Sequence, residues 1–285
     1  MIEIFSSEES YNLSKRAYSK KESEEADEEP LNSQVNLKAK CSLVIPAYNE
    51  EKRIGPFLRS VKEYLADFHE IILILDGTDN TAEIARTIDP RFRIKEYDHR
   101  LGKGGAILEG FKMSSGEVMG YVDADGAISC AEVRKVFASV VNGNDVSIGS
   151  RWVKGAQVKT KQPLIRIILG RLYHYMAFAF LGLKTKDVQC GLKAFRAETV
   201  KIILHRVTLR NFSFDTAILY HCKKQGYNIE EVPISWKNVE GSKVRPFKAA
   251  FVMFISLLGL RIAHSRNSEK LENIVESVRD VFERA

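Results

Sequence analysis

Negative charge is what this sequence lacks over long stretches. From Val146 to Lys186 there is no acidic residue against eight basic ones, and a second acid-free stretch runs from Gly241 to Ser268. Cysteine is sparse too: Cys41, Cys130, Cys190 and Cys222 are scattered with no CxxC pair. That argues against a disulfide framework or a zinc site and fits a reducing compartment. No apolar run reaches 18 residues free of charge, so no segment is expected to span a bilayer on its own. The histidines have no metal-ligand spacing, no Ser/His/Asp set stands out, and the N-terminus has no basic-then-apolar leader.

What is present is an ordinary globular composition. The 285 residues are 45% hydrophobic and 28% charged, which suffices for a sizeable core. Residues 1–40 carry six basic and nine acidic side chains, so a chain of net charge +6 stands at +9 beyond them. Their acidic run, "ESEEADEEP" at 22–30, reads as part of a solvated polar tail.

From Cys41 onward the pattern changes. "CSLVIPA" (41–47), "EIILILD" (70–76), "RFRIKEY" (91–97), "EVMGYVD" (117–123) and "DVSIGS" (145–150) read as strands. Between them the spacing predicts helices: Ile54 to Phe68, Thr81–Thr87, Gly105–Met113 and Glu132–Val141. This alternation predicts an α/β fold with a mostly parallel, helix-covered central sheet. Ligands in such sheets bind at the carboxyl ends of the strands. Tyr48, Asn49 and Glu50 follow the first strand, Asp76 the second, Asp123 and Asp125 the fourth.

The acid-free stretches hold two apolar helical segments, "PLIRIILGRLYHYMAFAFLGL" (163–183), with Arg166 and Arg171, and "FKAAFVMFISLLGL" (247–260). Either could pack in a core, but in basic surroundings the pair is better explained by docking on an anionic membrane surface. A last helix, 269–284, has one apolar stripe and reads as packing.

"YVDADGA" (121–127) carries the chemistry. Strand side chains alternate, so Asp123 and Asp125 point the same way. A lone DxD before a glycine is common turn chemistry. An aspartyl-phosphate phosphatase also starts from an apolar strand and DxDG, but needs a downstream acidic cluster for magnesium. After Asp125 the only aspartates are Asp145, Asp187, Asp215 and Asp280, so that reading falls. A nucleotide-sugar site remains, in which the pair holds Mg²⁺ or Mn²⁺ against a diphosphate. "RLGKGGA" (100–106) is neither GxGxxG nor a P-loop; by itself it is a tight loop into a helix, and beside a diphosphate Lys103 becomes a contact.

Nine motifs follow in order: "VIPAYNE" (44–50), "LDGTDNT" (75–81), "GKGGA" (102–106), "DADGA" (123–127), "GSR" (149–151), "QCGLKAFR" (189–196), "FSFD" (212–215), "GYNIEEVPISW" (226–236) and "EGSKVR" (240–245). Over residues 41–245 the chain resembles the GT-A inverting glycosyltransferases that make dolichyl- or polyprenyl-phosphate sugars. The dolichyl-phosphate β-glucosyltransferases resemble it most, with mannose synthases as cousins. The resemblance implies that Pro46, Tyr48, Glu50 and Asp76 line a nucleoside pocket and that Asp123 and Asp125 hold metal and diphosphate. By the same resemblance Arg151 and Arg166 receive the acceptor phosphate, and Lys243 and Arg245 close over the diphosphate. Two departures stand out: Leu75 replaces the first of two aspartates before a glycine, and Ala127 stands where mannose synthases carry a polar ligand. The second fits the glucosyl branch. Glucosyl members often carry an N-terminal membrane anchor, and none is visible here.

These readings give a polar tail (1–40), a GT-A domain (41–245) and C-terminal helices (246–285). The expected enzyme moves a hexose, glucose first, from a nucleoside diphosphate sugar to a dolichyl or polyprenyl phosphate at the cytoplasmic side of a membrane. UDP-glucose is the first donor considered, GDP-mannose and UDP-N-acetylglucosamine the others, and no nucleic-acid partner is expected. Its rivals are transfer to a sugar or protein hydroxyl, and a non-catalytic membrane adaptor that kept the fold. A hydroxyl acceptor needs a base, for which Asp215 is the candidate; a helix-capping role fits that residue equally well.

Overall fold

The computed structural model describes residues 37–160, 164–207, 213–239 and 246–263. The described part opens with β1 (Cys41–Ala47), α1 (Ile54–Lys62), β2 (Glu70–Leu75), α2 (Thr81–Ile88), β3 (Arg93–Glu96), α3 (Gly102–Met113) and β4 (Val118–Val122). The four strands pair in parallel in the order β3-β2-β1-β4. Every residue of β2 is buried, as an unbroken apolar run requires when helices cover both faces of a sheet. The edge strand β3 is mostly exposed and reads RIKE, a charged sequence that discourages pairing with other chains.

After α4 (Cys130–Val141) and β5 (Val146–Ser150) come a short β6 (Gln157–Val158), α5 (Leu164–Leu181), β7 (Leu192–Arg196), α6 (Ala197–Arg206) and α7 (Phe214–Lys224). β8 (Ile229–Pro233), β9 (Ser235–Trp236) and α8 (Pro246–Ala263) complete the described elements. The main sheet has seven strands in the order β3-β2-β1-β4-β7-β5-β8. β7 runs antiparallel to both neighbours, setting Lys193 opposite Tyr121 on one side and Ile148 on the other. β5 therefore does not touch β4, a separation the alternating pattern gave no hint of.

The helix predicted from Ile54 to Phe68 ends at Lys62, with a 3-10 turn over Leu65–Asp67. The chain has to turn there because Phe68 packs edge-on against Phe137 at 5.2 Å and the His69 amide donates to the Cys41 carbonyl, starting the β1–β2 ladder. At the same end of the sheet, Glu70 accepts from Ser42 Oγ (2.7 Å), Ser115 N (2.7 Å) and Ser115 Oγ (2.8 Å) and pairs with Arg93. One carboxylate thus joins β1, β2, β3 and the approach to β4.

α5 buries Tyr173, Ala177 and Leu181 in the core, and α8 packs on it, Phe180 meeting Phe254 at 6.5 Å. Leu164, Ile168, Leu172, Tyr175 and Phe178 of α5 nevertheless stay exposed. No described helix is long and apolar enough to cross a membrane. Residues 1–36 of the predicted tail, the whole 240–245 motif and the 269–284 helix lie outside the described residues.

Candidate active site

The loops after β1 and β2 are tied into one wall. Thr78 N donates to Asn49 Oδ1 (2.8 Å), Glu51 N to Asp79 Oδ2 (2.9 Å) and Glu50 N to Thr81 Oγ1 (3.0 Å). Asn49 reaches this position with a φ of 52°, a left-handed conformation that asparagine tolerates. The cleft beneath has a volume of about 240 Å³ and brings together Pro46, Tyr48, Glu50, Asp76, Lys103, Asp123 and Asp125. Seven residues predicted from the sequence thus share one cavity.

The structure also supplies their partners. Arg53 holds the Glu50 carboxylate through two bonds of 2.6 and 2.8 Å. Asp76 Oδ2 accepts from the amides of Leu101 (2.8 Å) and Gly102 (2.9 Å), satisfying donors that the start of α3 leaves open. The Arg100 guanidinium lies 3.3 Å from the Tyr48 ring centre, stacked on the cleft rim. Asp125 folds back on its own turn, Oδ1 accepting from Ala127 N at 2.9 Å, and Gly126 takes the positive φ of 70° that this turn needs.

Under the Asp pair lies a buried charge cluster. Lys103 Nζ sits 2.9 Å from Asp123 Oδ1 and 3.3 Å from Oδ2. It also lies 3.1 Å from Asp215 Oδ2, as an ion contact rather than an aligned hydrogen bond. Asp215 Oδ1 accepts from Lys193 Nζ and from Tyr121 Oη, both at 2.5 Å, and Lys193 Nζ also donates to the Cys190 carbonyl at 2.7 Å. The Lys193 and Asp215 side chains are 0% and 1% exposed. Burial opposes the charge on Asp215, but the two ammonium groups outweigh it and bring its pKa down to about 2. For Asp123 burial wins: its pKa is raised despite Lys103, with Asp125 and Asp215 adding repulsion. Lys103 loses from burial and gains more from both carboxylates, so its pKa rises.

Asp215 lies in the first turn of α7 but makes no cap, its oxygens being turned to the two lysines and Tyr121. Lys193 was not singled out by the sequence. Its signal was a lysine inside the apolar run GLKAF, a position that calls for a buried counter-charge. Gly191 was likewise hidden: a Cβ there would lie 1.9 Å from Asp123 Oδ2, so only glycine lets that carboxylate turn inward.

A second cavity, of about 100 Å³, is lined by Arg151, Trp152, Arg171, His174, Lys186 and Asp187 among others. Asp187 grips Arg151 through Nε (2.7 Å), Nη2 (2.8 Å) and the Arg151 amide (2.9 Å). His174 Nδ1 is buried without a hydrogen-bond partner. The sequence offered one clue to Asp187: it is the first acid after the long acid-free stretch. Arg166 belongs to the first turn of α5, and its side chain lies outside the described residues, as do Lys243 and Arg245.

A parallel α/β sheet with one reversed strand, and an Asp pair at the end of β4 facing a cleft built by the β1 and β2 loops, define a glycosyltransferase of the GT-A type. The family Glycosyl transferase family 2 matches residues 42–203, and the chain belongs to that family. It is 32% identical over 248 residues to the dolichyl-phosphate beta-glucosyltransferase of Saccharomyces cerevisiae, covering 78% of this chain and 74% of that one. The enzyme of the same description from Dictyostelium discoideum is 30% identical, with 78% and 74% covered. Among solved structures, glucosyl-3-phosphoglycerate synthase from Mycobacterium tuberculosis, crystallised with Mn²⁺, UDP and glucosyl-3-phosphoglycerate, shares the fold. That match has a TM-score of 0.62 at 17% identity and covers 80% of this chain and 81% of that one.

Proposed function

We propose that this glycosyltransferase moves glucose from UDP-glucose to a dolichyl or polyprenyl phosphate while resting on the cytoplasmic surface of a membrane. The observation that carries the reading is the second cavity. Arg151, Arg171, His174 and Lys186 line it, and on α5 the lining positions Ile167, Gly170, Arg171 and His174 lie one residue around from the exposed stripe of Ile168, Leu172 and Tyr175. A cationic cavity beside an apolar stripe suits an amphiphile with an anionic head. The names of the curated relatives support the same acceptor and sugar.

A phosphate monoester, its second pKa at about 6, is already anionic at neutral pH and needs no base. A guanidinium receives it by charge-assisted hydrogen bonds, and Asp187, by holding Nε and Nη2 of Arg151, fixes the direction in which the rest of that guanidinium points. Asp215, the base a hydroxyl acceptor would require, is instead buried and engaged by Lys103, Lys193 and Tyr121. An acceptor phosphate oxygen attacks the anomeric carbon, the bond from that carbon to the diphosphate oxygen breaks, its electron pair leaves with UDP, and the configuration inverts. Pro46, Tyr48, Glu50 and Asp76 face the nucleoside, Arg151 and Arg166 orient the acceptor, and Lys243 and Arg245 cover the diphosphate.

Mg²⁺ or Mn²⁺ fits the residues at hand. Asp123 and Asp125 offer hard oxygens, and the place beside Asp123 already holds the positive charge of Lys103. No cluster of three acidic, His or Cys ligands occurs among the described residues, which suits ions that take one or two carboxylates plus substrate phosphates. When bound, the ion stabilises the departing diphosphate as a Lewis acid.

The test is a panel of nucleotide sugars against a short polyprenyl phosphate and the matching polyprenol, with and without chelator. Lipid-linked glucose from the phosphate alone, lost on chelation and restored by Mn²⁺, is expected. Equal rates with the alcohol would overturn the acceptor assignment.

A further inference from the structure

The Lys103 ammonium straddles both oxygens of Asp123 at 2.9 and 3.3 Å, with its side chain only 15% exposed. On its other side stands Asp215 Oδ2, whose partner oxygen is already filled by Lys193 and Tyr121. The cluster Asp123, Lys103, Asp215 and Lys193 is electrically neutral as it stands. Gly191 makes this closed form possible, because its missing side chain is where the Asp123 carboxylate lodges.

We propose that Lys103 holds the place of the divalent cation at Asp123 in the resting enzyme and gives it up only when the donor diphosphate arrives, with Asp215 as its fixed anchor. The inference rests on the metal reading above. A divalent ion entering alone would meet an ammonium a few ångströms away, and like charges repel strongly where water is scarce. The donor changes that balance, since its phosphates offer Lys103 a new anionic partner and add negative charge beside the Asp pair. Lys103 then shifts from Asp123 to the diphosphate while keeping its contact with Asp215. Cation and nucleotide sugar therefore bind as a coupled pair, each raising the affinity for the other.

Mn²⁺ binding, read by electron paramagnetic resonance without turnover, tests this. Wild type should bind Mn²⁺ weakly alone and tightly with UDP. Lys103→Met, which keeps length but loses charge, should bind Mn²⁺ alone about tenfold more tightly or better, an effect of the size expected from removing a nearby like charge. Lys103→Arg should restore weak binding. A folded Lys103→Met that binds Mn²⁺ alone no better than wild type, in a protein whose wild type does bind Mn²⁺ with UDP, overturns the proposal and leaves the metal reading intact. Wild type without Mn²⁺ even in the presence of UDP would sink both. Should Lys103→Met not fold, wild-type crystals soaked in Mn²⁺ decide. Mn²⁺ at Asp123 without nucleotide, Lys103 still in place, overturns the proposal. An ion seen only with UDP, with Lys103 moved off Asp123 yet still on Asp215, upholds it.

Discussion

Asp125→Asn removes one negative charge from the cleft while keeping the shape of the side chain. By analogy with the loss of one charge-stabilising group in other enzymes, turnover should drop by ~10²–10³ with little change in thermal stability. Initial rates beside a melting curve check this, and an unaltered rate in Asp125→Asn would remove the residue from the metal site. Asp215 gives a prediction in pH. Its pKa stands at about 2 in the folded chain against 3.8 for the free side chain. A lowered folded pKa means the ionised form stabilises the fold above about pH 4, and that this contribution is lost as pH falls towards 2. Its size is on the order of 2 kcal/mol. Urea titrations of wild type from pH 5, above both values, down to pH 2 should show stability falling; a flat profile would contradict it. The Asp pair was legible because both members sit two residues apart at a strand end. Lys193 and Asp187 were not, since each is explained only by a partner 22 or 36 residues away.

Elements divide along similar lines. β1, β2 and β4 are readable from apolar runs, and α3 and α4 from their spacing, whereas β7 shows in the sequence only within the motif QCGLKAFR. Its position between β4 and β5 is a matter of long-range pairing, on which local periodicity is silent. The knot at Glu70 is testable on its own. Glu70→Ala strands Ser42 Oγ and the Ser115 amide and should cost about 1–3 kcal/mol, measured by urea denaturation, while the KM for donor stays put because the cleft is at the other end of the strands. The exposed face of α5 is the opposite case. Leu172→Glu should leave the melting temperature unchanged, because the side chain is 53% exposed. It should weaken binding to anionic vesicles by roughly tenfold, the value of burying one leucine in an apolar phase. Vesicle co-sedimentation of this variant that matches wild type would take α5 out of the interface.

The whole molecule carries +9 beyond its first forty residues, and that surplus sets how it should meet a membrane. Binding to anionic vesicles should weaken steeply as salt rises from 0.05 to 0.5 M, because the Debye length shrinks from above ~10 Å to well below it. Flotation at several salt concentrations reads this directly. Salt-independent binding would assign the attachment to apolar contact alone.

The reversed strand β7 has one more consequence. The stretch from Asp187 to Lys193 grips Arg151, the arginine proposed for the acceptor, at one end and holds Asp215 beneath the Asp pair at the other, with Gly191 against Asp123 between them. It works as a ruler seven residues long, fixing the spacing between two cavities that have no lining residue in common. Rulers of this kind tolerate substitution better than a change in length. Deleting one residue between Val188 and Gly191 would either drag Asp187 off Arg151 or slip β7 by one register, and a one-residue slip turns every strand side chain to the opposite face. Lys193 would then leave Asp215, and the two cavities would lose their alignment together.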